Sequence, residues 1–511
     1  MMRWSCWLLL CLACGIGPAQ QVRLDAGQPP QADAGTDAGA HEPPDAGLDA
    51  GETRDAGDPA DLAPVRWPQV SPVTHDVDAD LASVLERPAL AGACARVEAG
   101  GADQATRLRC GKWMFFNETF GTVGVPTALL DFNQKHFSAF FGRGFEQLGF
   151  VADPASANGH PIGLSPTTGK LGNVETTAFT CASCHFGKLA DGRYAVGYAN
   201  LRLDYGQFLV TLGAPLSLSF NANDANVAPA VRARLGPHVE AAKQTQGFTV
   251  EAGLVGLSLL GAGSGPNLSV AEQERFLALD PGSMDFLTKP LLDDGVWTVS
   301  RIIPLWNLPD ASQRATAGLP HERLSWNGGV QTLEEFLKGF VAIGVGASAW
   351  NDARLAPLAE YIRSLRAPAP IAVADAAVVR DGARLFVTRG CLGCHDGPSG
   401  ESSRVFGFAE IGTDDVYAKI YNAPDGGSPC CGLGGDPSVV TRGVKAPRLA
   451  GVFTQGRLLH NGALQGLDAL FCLTPRRGPL PDGRGDQGHT MTCEGLSDDE
   501  KRQLISYLKS L

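Results

Sequence analysis

The chain of 511 residues contains no uninterrupted apolar run of about 18 residues, so its sequence predicts no membrane-spanning helix. Lys and Arg nowhere gather into a basic face, which removes nucleic acid as a partner. Methionine is scarce, with 5 in the whole chain, so thioether ligands are few. Between Gly15 and Asp80 there is no Lys, one aromatic (Trp67), and 3 Arg against 13 acidic residues. That net of −10 accounts for most of the chain's −12, leaving the remainder nearly neutral. The same stretch repeats Asp-Ala-Gly six times, starting at Asp25, Asp33, Asp37, Asp45, Asp49 and Asp55. Composition this poor in apolar surface cannot offset the entropy of ordering, so 15–80 is predicted to be a disordered acidic spacer. A calcium site in the repeats is the weaker alternative, because the isolated carboxylates lack a fixed ligand loop.

Ahead of the spacer, Arg3 precedes an apolar run that ends at Cys14, shorter than a bilayer crossing and shaped like a secretory signal. Leu12-Ala13-Cys14-Gly15 resembles a bacterial lipoprotein signal, although Cys11 stands where that family carries Leu. The resemblance implies lipidation at Cys14; ordinary cleavage of a signal peptide over 1–14 is the alternative. Either way the chain is expected to be exported to the periplasm or cell envelope, touching a membrane only through that anchor.

Against these absences stand 13 cysteines. Three lie in the signal and four form two CxxCH motifs, Cys181-Cys184-His185 and Cys391-Cys394-His395. Of the other six, Cys94–Cys110 and Cys472–Cys493 would each close a short loop as disulfides, while adjacent Cys430 and Cys431 stay open. A thioredoxin-like dithiol would sit at a helix start after a strand, and zinc would need two pairs close together. Here the pairs are 210 residues apart, and an amphipathic helix leads into at least the second. Covalent haem accounts for the order of residues: thiols at i and i+3 add to two vinyl groups, and the next residue, His, meets the iron. Two covalently bound haem c groups are expected, on Cys181, Cys184 and His185 and on Cys391, Cys394 and His395.

The segments around the motifs repeat. Gly382 and Phe386 lie on one face of a helix before the second motif, where a small residue admits the close crossing of a partner helix. That partner is the C-terminal stretch Ser497–Leu511, with Leu504, Ile505, Leu508 and Leu511 in one stripe and Ser497 with Glu500 as a capping box. Gly111–Phe116 and Leu358–Leu365 echo these two segments, and Leu324-Ser325-Trp326-Asn327-Gly328 echoes Leu458-Leu459-His460-Asn461-Gly462. The predicted fold is mainly α: two cytochrome c-like helical domains related by duplication, 95–366 enlarged by insertions and 374–511, joined by Arg366-Ala367-Pro368-Ala369-Pro370.

With both motifs, the turn at His460 and the closing helix, residues 95–511 resemble the dihaem c-type cytochrome family of bacterial cytochrome c peroxidases, the methylamine dehydrogenase maturation enzyme and the rubber oxygenases. The long separation of the motifs is nearer the rubber oxygenases. The resemblance implies a reactive N-terminal haem with an available sixth position and a six-coordinate C-terminal haem that handles electrons. The Met that peroxidases place after the His460-type turn is missing here. His489, in a Gly-containing loop before the last helix, resembles the loop found there in rubber-oxygenase-like members and is expected as the sixth ligand of the second iron, with His460 and Met491 as alternatives. Metal ligands are thus His185, His395 and His489, and calcium between the domains is left open.

Trp326 stands where the second half has His460, and an indole cannot ligate iron. It predicts an apolar, open distal side above His185, where Trp326 would be catalytic; Trp297 and Trp306, both between the motifs, are each candidates to bridge the haems. Glu118, Glu175 and Asp204 are candidates for a distal base. The expected function is an exported dihaem oxidoreductase of cytochrome c peroxidase type, haem one reacting with peroxide or dioxygen and haem two exchanging electrons with a small redox protein or other donor. The alternatives are an oxygenase acting on an apolar small-molecule substrate and a lipid-anchored electron carrier without catalysis.

Overall fold

A computed structural model describes residues 73–122, 124–167, 173–260, 268–285, 299–316, 322, 324–328, 330–343, 350–370, 375–402, 404–415, 443–480 and 484–511. The signal, Cys14, most of the acidic spacer, His321, Cys430, Cys431 and Trp297 lie outside these residues. The fold is mainly α, and no strand among the described residues exceeds the four residues of Thr176–Phe179.

Two helix pairs organise it. Gln104–Asn117 crosses Asp352–Ser364, and Ala376–Thr388 crosses Asp498–Leu508. Glycine sets both crossings, since a Cβ on Gly111 would come within 2.0 Å of the Pro357 carbonyl oxygen and one on Gly382 within 2.1 Å of the Gln503 carbonyl oxygen. One turn along each helix, an aromatic edge meets a tyrosine ring: Phe115 with Tyr361 at 5.9 Å and Phe386 with Tyr507 at 5.4 Å. The expected capping box starts the last helix, where Ser497 Oγ accepts from Glu500 N and Glu500 accepts from Ser497 N. The two echoed turns also share their backbone. Leu324 bridges Val330 as Leu458 pairs with Leu464, and Ser325 and Leu459 both take left-handed conformations, at φ 66° and 67°.

Among the described residues the apolar interior divides into three cores rather than two. One is built on each helix pair. The third lies mainly within residues 129–302, where Phe132, Phe137, Phe141, Phe145, Phe208 and Phe248 pack beneath Tyr205–Phe220, Pro229–Lys243 and Phe248–Leu260. This stretch therefore carries an apolar interior of its own.

The end of the acidic segment departs from expectation. Residues 73–80 are packed, and the first folded unit begins there instead of at residue 95: Val77–Asp78 pairs with Tyr194–Val196, which pairs with Phe186–Lys188 immediately after His185. The cause is Lys112, fully buried in the first helix pair. Its ammonium lies 3.0 Å from Asp76 and 2.5 Å from Glu86, and it donates to the His75 carbonyl at 2.9 Å. Tyr361 Oη donates to Asp76 at 2.7 Å. A buried ammonium needs such anions, so Asp76 and Glu86 are drawn inward. The disulfides Cys94–Cys110 and Cys472–Cys493 form as expected.

Candidate functional site

The first CxxCH occupies the helical turn Cys181–His185, entered from the strand Thr176–Phe179. That strand entry is the arrangement a thioredoxin-like dithiol would use, so the thiols themselves must discriminate. Burial raises Cys181 and Cys184 to about 12, the opposite of an activated thiolate. Neither pair forms a disulfide. The turn is gripped by its backbone: Thr180 N and Ser183 Oγ both donate to the Gly163 carbonyl, at 2.8 and 2.5 Å. Gly197 N and Asn200 N cap the carbonyls of His185 and Cys184 at 2.8 and 2.9 Å. Cys181 packs on the first helix-pair core and Cys184 on the insertion core, so the motif lies where the two cores meet. Gly111–Phe116, distant in sequence, is adjacent in space, with Phe116 edge-on to Phe186 at 5.2 Å. Burial lowers the His185 pKa to about 4, partly opposed by the Ile303 backbone.

The second CxxCH follows Gly390, whose φ of 78° ends the helix Ala376–Thr388 and turns the chain into Cys391–Gly393. Burial raises the Cys391 thiol to about 11 and also raises Cys394. His395 is buried, and its Nδ1 lies 2.5 Å from the Gly400 carbonyl oxygen. A carbonyl can only accept, so Nδ1 carries the proton and Nε2 keeps its lone pair for a metal. Opposite it stands His489, held in a left-handed conformation at φ 53° after Gly488 and fixed by its N–H to the Ile411 carbonyl at 2.9 Å. The two ring centroids are 6.4 Å apart. Imidazoles on opposite sides of one metal, at bond lengths of about 2 Å, have centroids roughly 6 Å apart. Burial, then the neighbouring His395, lowers the His489 pKa to about 4; burial also lowers that of His395. Both rings are neutral near pH 7, the form that ligates.

The alternatives point elsewhere. Met491 is 51% exposed. His460 is buried in its turn, with Nε2 3.7 Å from Asp414 and its carbonyl accepting from Arg301 N at 2.7 Å. His136 and His160 pair with Glu251 and Asp131 at 2.8 and 2.7 Å, and His238 packs against Phe140. Among the described residues no second histidine ring stands against His185. Asp204 accepts from Gln207 N at the start of a helix and Glu118 from Thr119 N and Phe120 N, so both carboxylates have backbone duties.

Trp326 is buried at the seam between the two halves, its indole N–H donating to the Arg301 carbonyl at 3.1 Å and its ring facing the Arg301 guanidinium at 5.1 Å. Its own carbonyl accepts from Lys445 N at 2.8 Å. Trp306 has the more connected position. Its indole N–H donates to the Val196 carbonyl at 2.7 Å, beside Gly197, which bonds the His185 carbonyl. On the other side the Asn307 carbonyl accepts from Ser399 Oγ at 2.8 Å, one residue before the Gly400 that holds His395. Glycines admit the indole on both flanks: a Cβ on Gly197 or Gly451 would come within 2.7 or 2.6 Å of it. Trp306 therefore stands between the two motifs. Its sequence signal, a Trp between the motifs, was shared with Trp297 and Trp326. Arg301 had a signal too, one cation inside the apolar stretch Val299–Pro304.

The donor set fits covalent haem at both motifs: free, unactivated thiols at i and i+3, a neutral imidazole next to each pair, part-buried at His185 and buried at His395, and at the second site a neighbouring imidazole. Among the described residues no group of three or more His, Cys, Asp and Glu could hold a bare metal ion, and no helix is long and apolar enough to cross a membrane.

No protein-family model matches the chain, and no curated protein does. Among solved structures it is similar to that of Kuenenia stuttgartiensis hydrazine synthase pressurized with 20 bar xenon, at 18% identity and a TM-score of 0.26, covering 48% of this chain and 81% of that one. At that score the likeness establishes neither fold nor function.

Proposed function

We propose that this chain is an exported dihaem c-type cytochrome oxidoreductase, formed by duplication of a helix-pair unit and divergent from the peroxidases and rubber oxygenases it resembles. One haem would be held by Cys181, Cys184 and His185, the other by Cys391, Cys394, His395 and His489. The observation that carries this reading is the contrast between the sites: the His395 ring has the His489 imidazole beside it, whereas among the described residues no second histidine ring stands against His185. When bound, the haems supply one-electron chemistry and, at an iron with an open position, reaction with peroxide or dioxygen.

The chain's own residues orient and insulate. The Gly400 carbonyl fixes the His395 tautomer, and burial keeps the His185, His395 and His489 rings neutral. Trp306 supplies a packed, hydrogen-bonded connection from the backbone beside His185 to that beside His395. The lipid anchor at Cys14 belongs to the same proposal.

A second reading, oxygenation of an apolar substrate, gains support from the helix Phe248–Leu260, which exposes Val250, Leu254 and Leu257 along one side. Whole-protein mass and a pyridine haemochrome assay should give two haems per chain. Peroxide-dependent oxidation of a reduced cytochrome would then favour the peroxidase, and oxygen uptake with a polyisoprene-like substrate the oxygenase. Inactivity in both, with every iron six-coordinate, would leave an electron carrier.

A further inference from the structure

Arg301 is 5% exposed, and burial lowers its pKa to about 10. Its contacts are all neutral. Nε donates to the Leu459 carbonyl at 3.2 Å, Nη1 to Gln455 Oε1 at 2.6 Å, and the guanidinium faces the Trp326 ring. Among the described residues no carboxylate pairs with it. Arg363, by contrast, bonds both Glu322 and Glu334. A buried guanidinium left without an anion is unfavourable, so an anion from outside the protein part of the chain is expected.

Hydrogen bonds around Arg301 lead to the second site. Arg301 N bonds the His460 carbonyl, His460 Nε2 is 3.7 Å from Asp414, and Gln487 Nε2 donates to Asp414 at 3.2 Å, two residues before His489. Arg301 is thus fastened to the second site across the seam. We propose that Arg301 is a carboxylate site that receives a propionate of the haem held by Cys391 and Cys394, presenting two parallel N–H groups to it. This rests on the haem assignment above. A cation paired there favours the reduced state of that haem over the oxidised one and ties the cofactor to the first half of the chain.

The test is a spectroelectrochemical titration of the holoprotein with R301Q and R301K. In R301Q the reduction equilibrium of the low-spin haem should fall about tenfold, which is about 59 mV for a one-electron couple. R301K should keep most of it while shifting the carboxylate band in the redox-difference infrared spectrum, because a point charge replaces a bidentate fork. If R301Q does not fold, the infrared shift in R301K decides. Haem present with an unmoved low-spin potential and an unmoved band would overturn the Arg301 site alone. Absence of covalent haem from the wild-type protein would overturn the cofactor reading itself.

Discussion

The His395 and His489 imidazoles face each other with centroids 6.4 Å apart, the first fixed by the Gly400 carbonyl and the second by a left-handed backbone. This pairing joins the residue after one CxxC to a loop 94 residues later and gives the second site two neighbouring neutral imidazoles.

His489→Ala should convert the low-spin component of the oxidised EPR spectrum to high spin, and the reduced second haem should then bind carbon monoxide. His489→Met should stay low-spin with a raised potential, because thioether stabilises ferric iron less than imidazole does. An unchanged low-spin spectrum in His489→Ala would assign the ligand elsewhere.

Acid should destabilise the protein in a defined window. His185 and His489 titrate near 4 when folded and near 6.5 when unfolded, so the unfolded chain binds more protons between those values. Their contribution is complete above about pH 6.5 and is lost as pH falls toward 4. Iron ligation acts in the same direction, since protons compete for the same nitrogen. Urea unfolding of the holoprotein at pH 7 and pH 4.5 checks this; equal midpoints would contradict it.

Gly111→Ala and Gly382→Ala should each destabilise by about 1–3 kcal/mol or more, because both new methyl groups would be driven into a backbone carbonyl. Gly236→Ala, inside a helix with nothing within 4 Å, should be neutral or stabilising by up to about 1 kcal/mol. Thermal unfolding of the three variants separates helix crossing from helix propensity.

Lys112→Met should cost about 3–5 kcal/mol by leaving Asp76 and Glu86 without their cation. Residues 73–80 should become open to protease before the rest of the chain does. Resistance equal to the wild type would show that the strand Val77–Asp78 is held by other contacts.

Much of this was legible in local pattern. Gly382, Phe386 and the stripe from Leu504 to Leu508 act over one or two helical turns, so periodicity predicted the second helix crossing and Ser497 predicted its cap. His489 was an expectation of the resemblance, through a Gly-containing loop before the last helix, and the structure brings its ring beside that of His395. What escaped depends on contacts that are remote in sequence. Lys112 reverses the meaning of Asp76 and Glu86 only once the first helix pair has buried it. Trp306 differs from Trp326 because Gly197 and Gly451, on opposite sides of it in the chain, make room for its ring. The core within 129–302 has helix-forming segments whose shared interior no single segment announces.

The most direct measurement of the central claim is carbon monoxide binding to the fully reduced wild-type holoprotein, with EPR of the oxidised form. One of two haems should bind the gas, and the oxidised protein should show one high-spin and one low-spin signal. Two low-spin irons and no carbon monoxide shift would contradict the claim that the site at His185 is open, and with it the proposal that this protein is a catalyst.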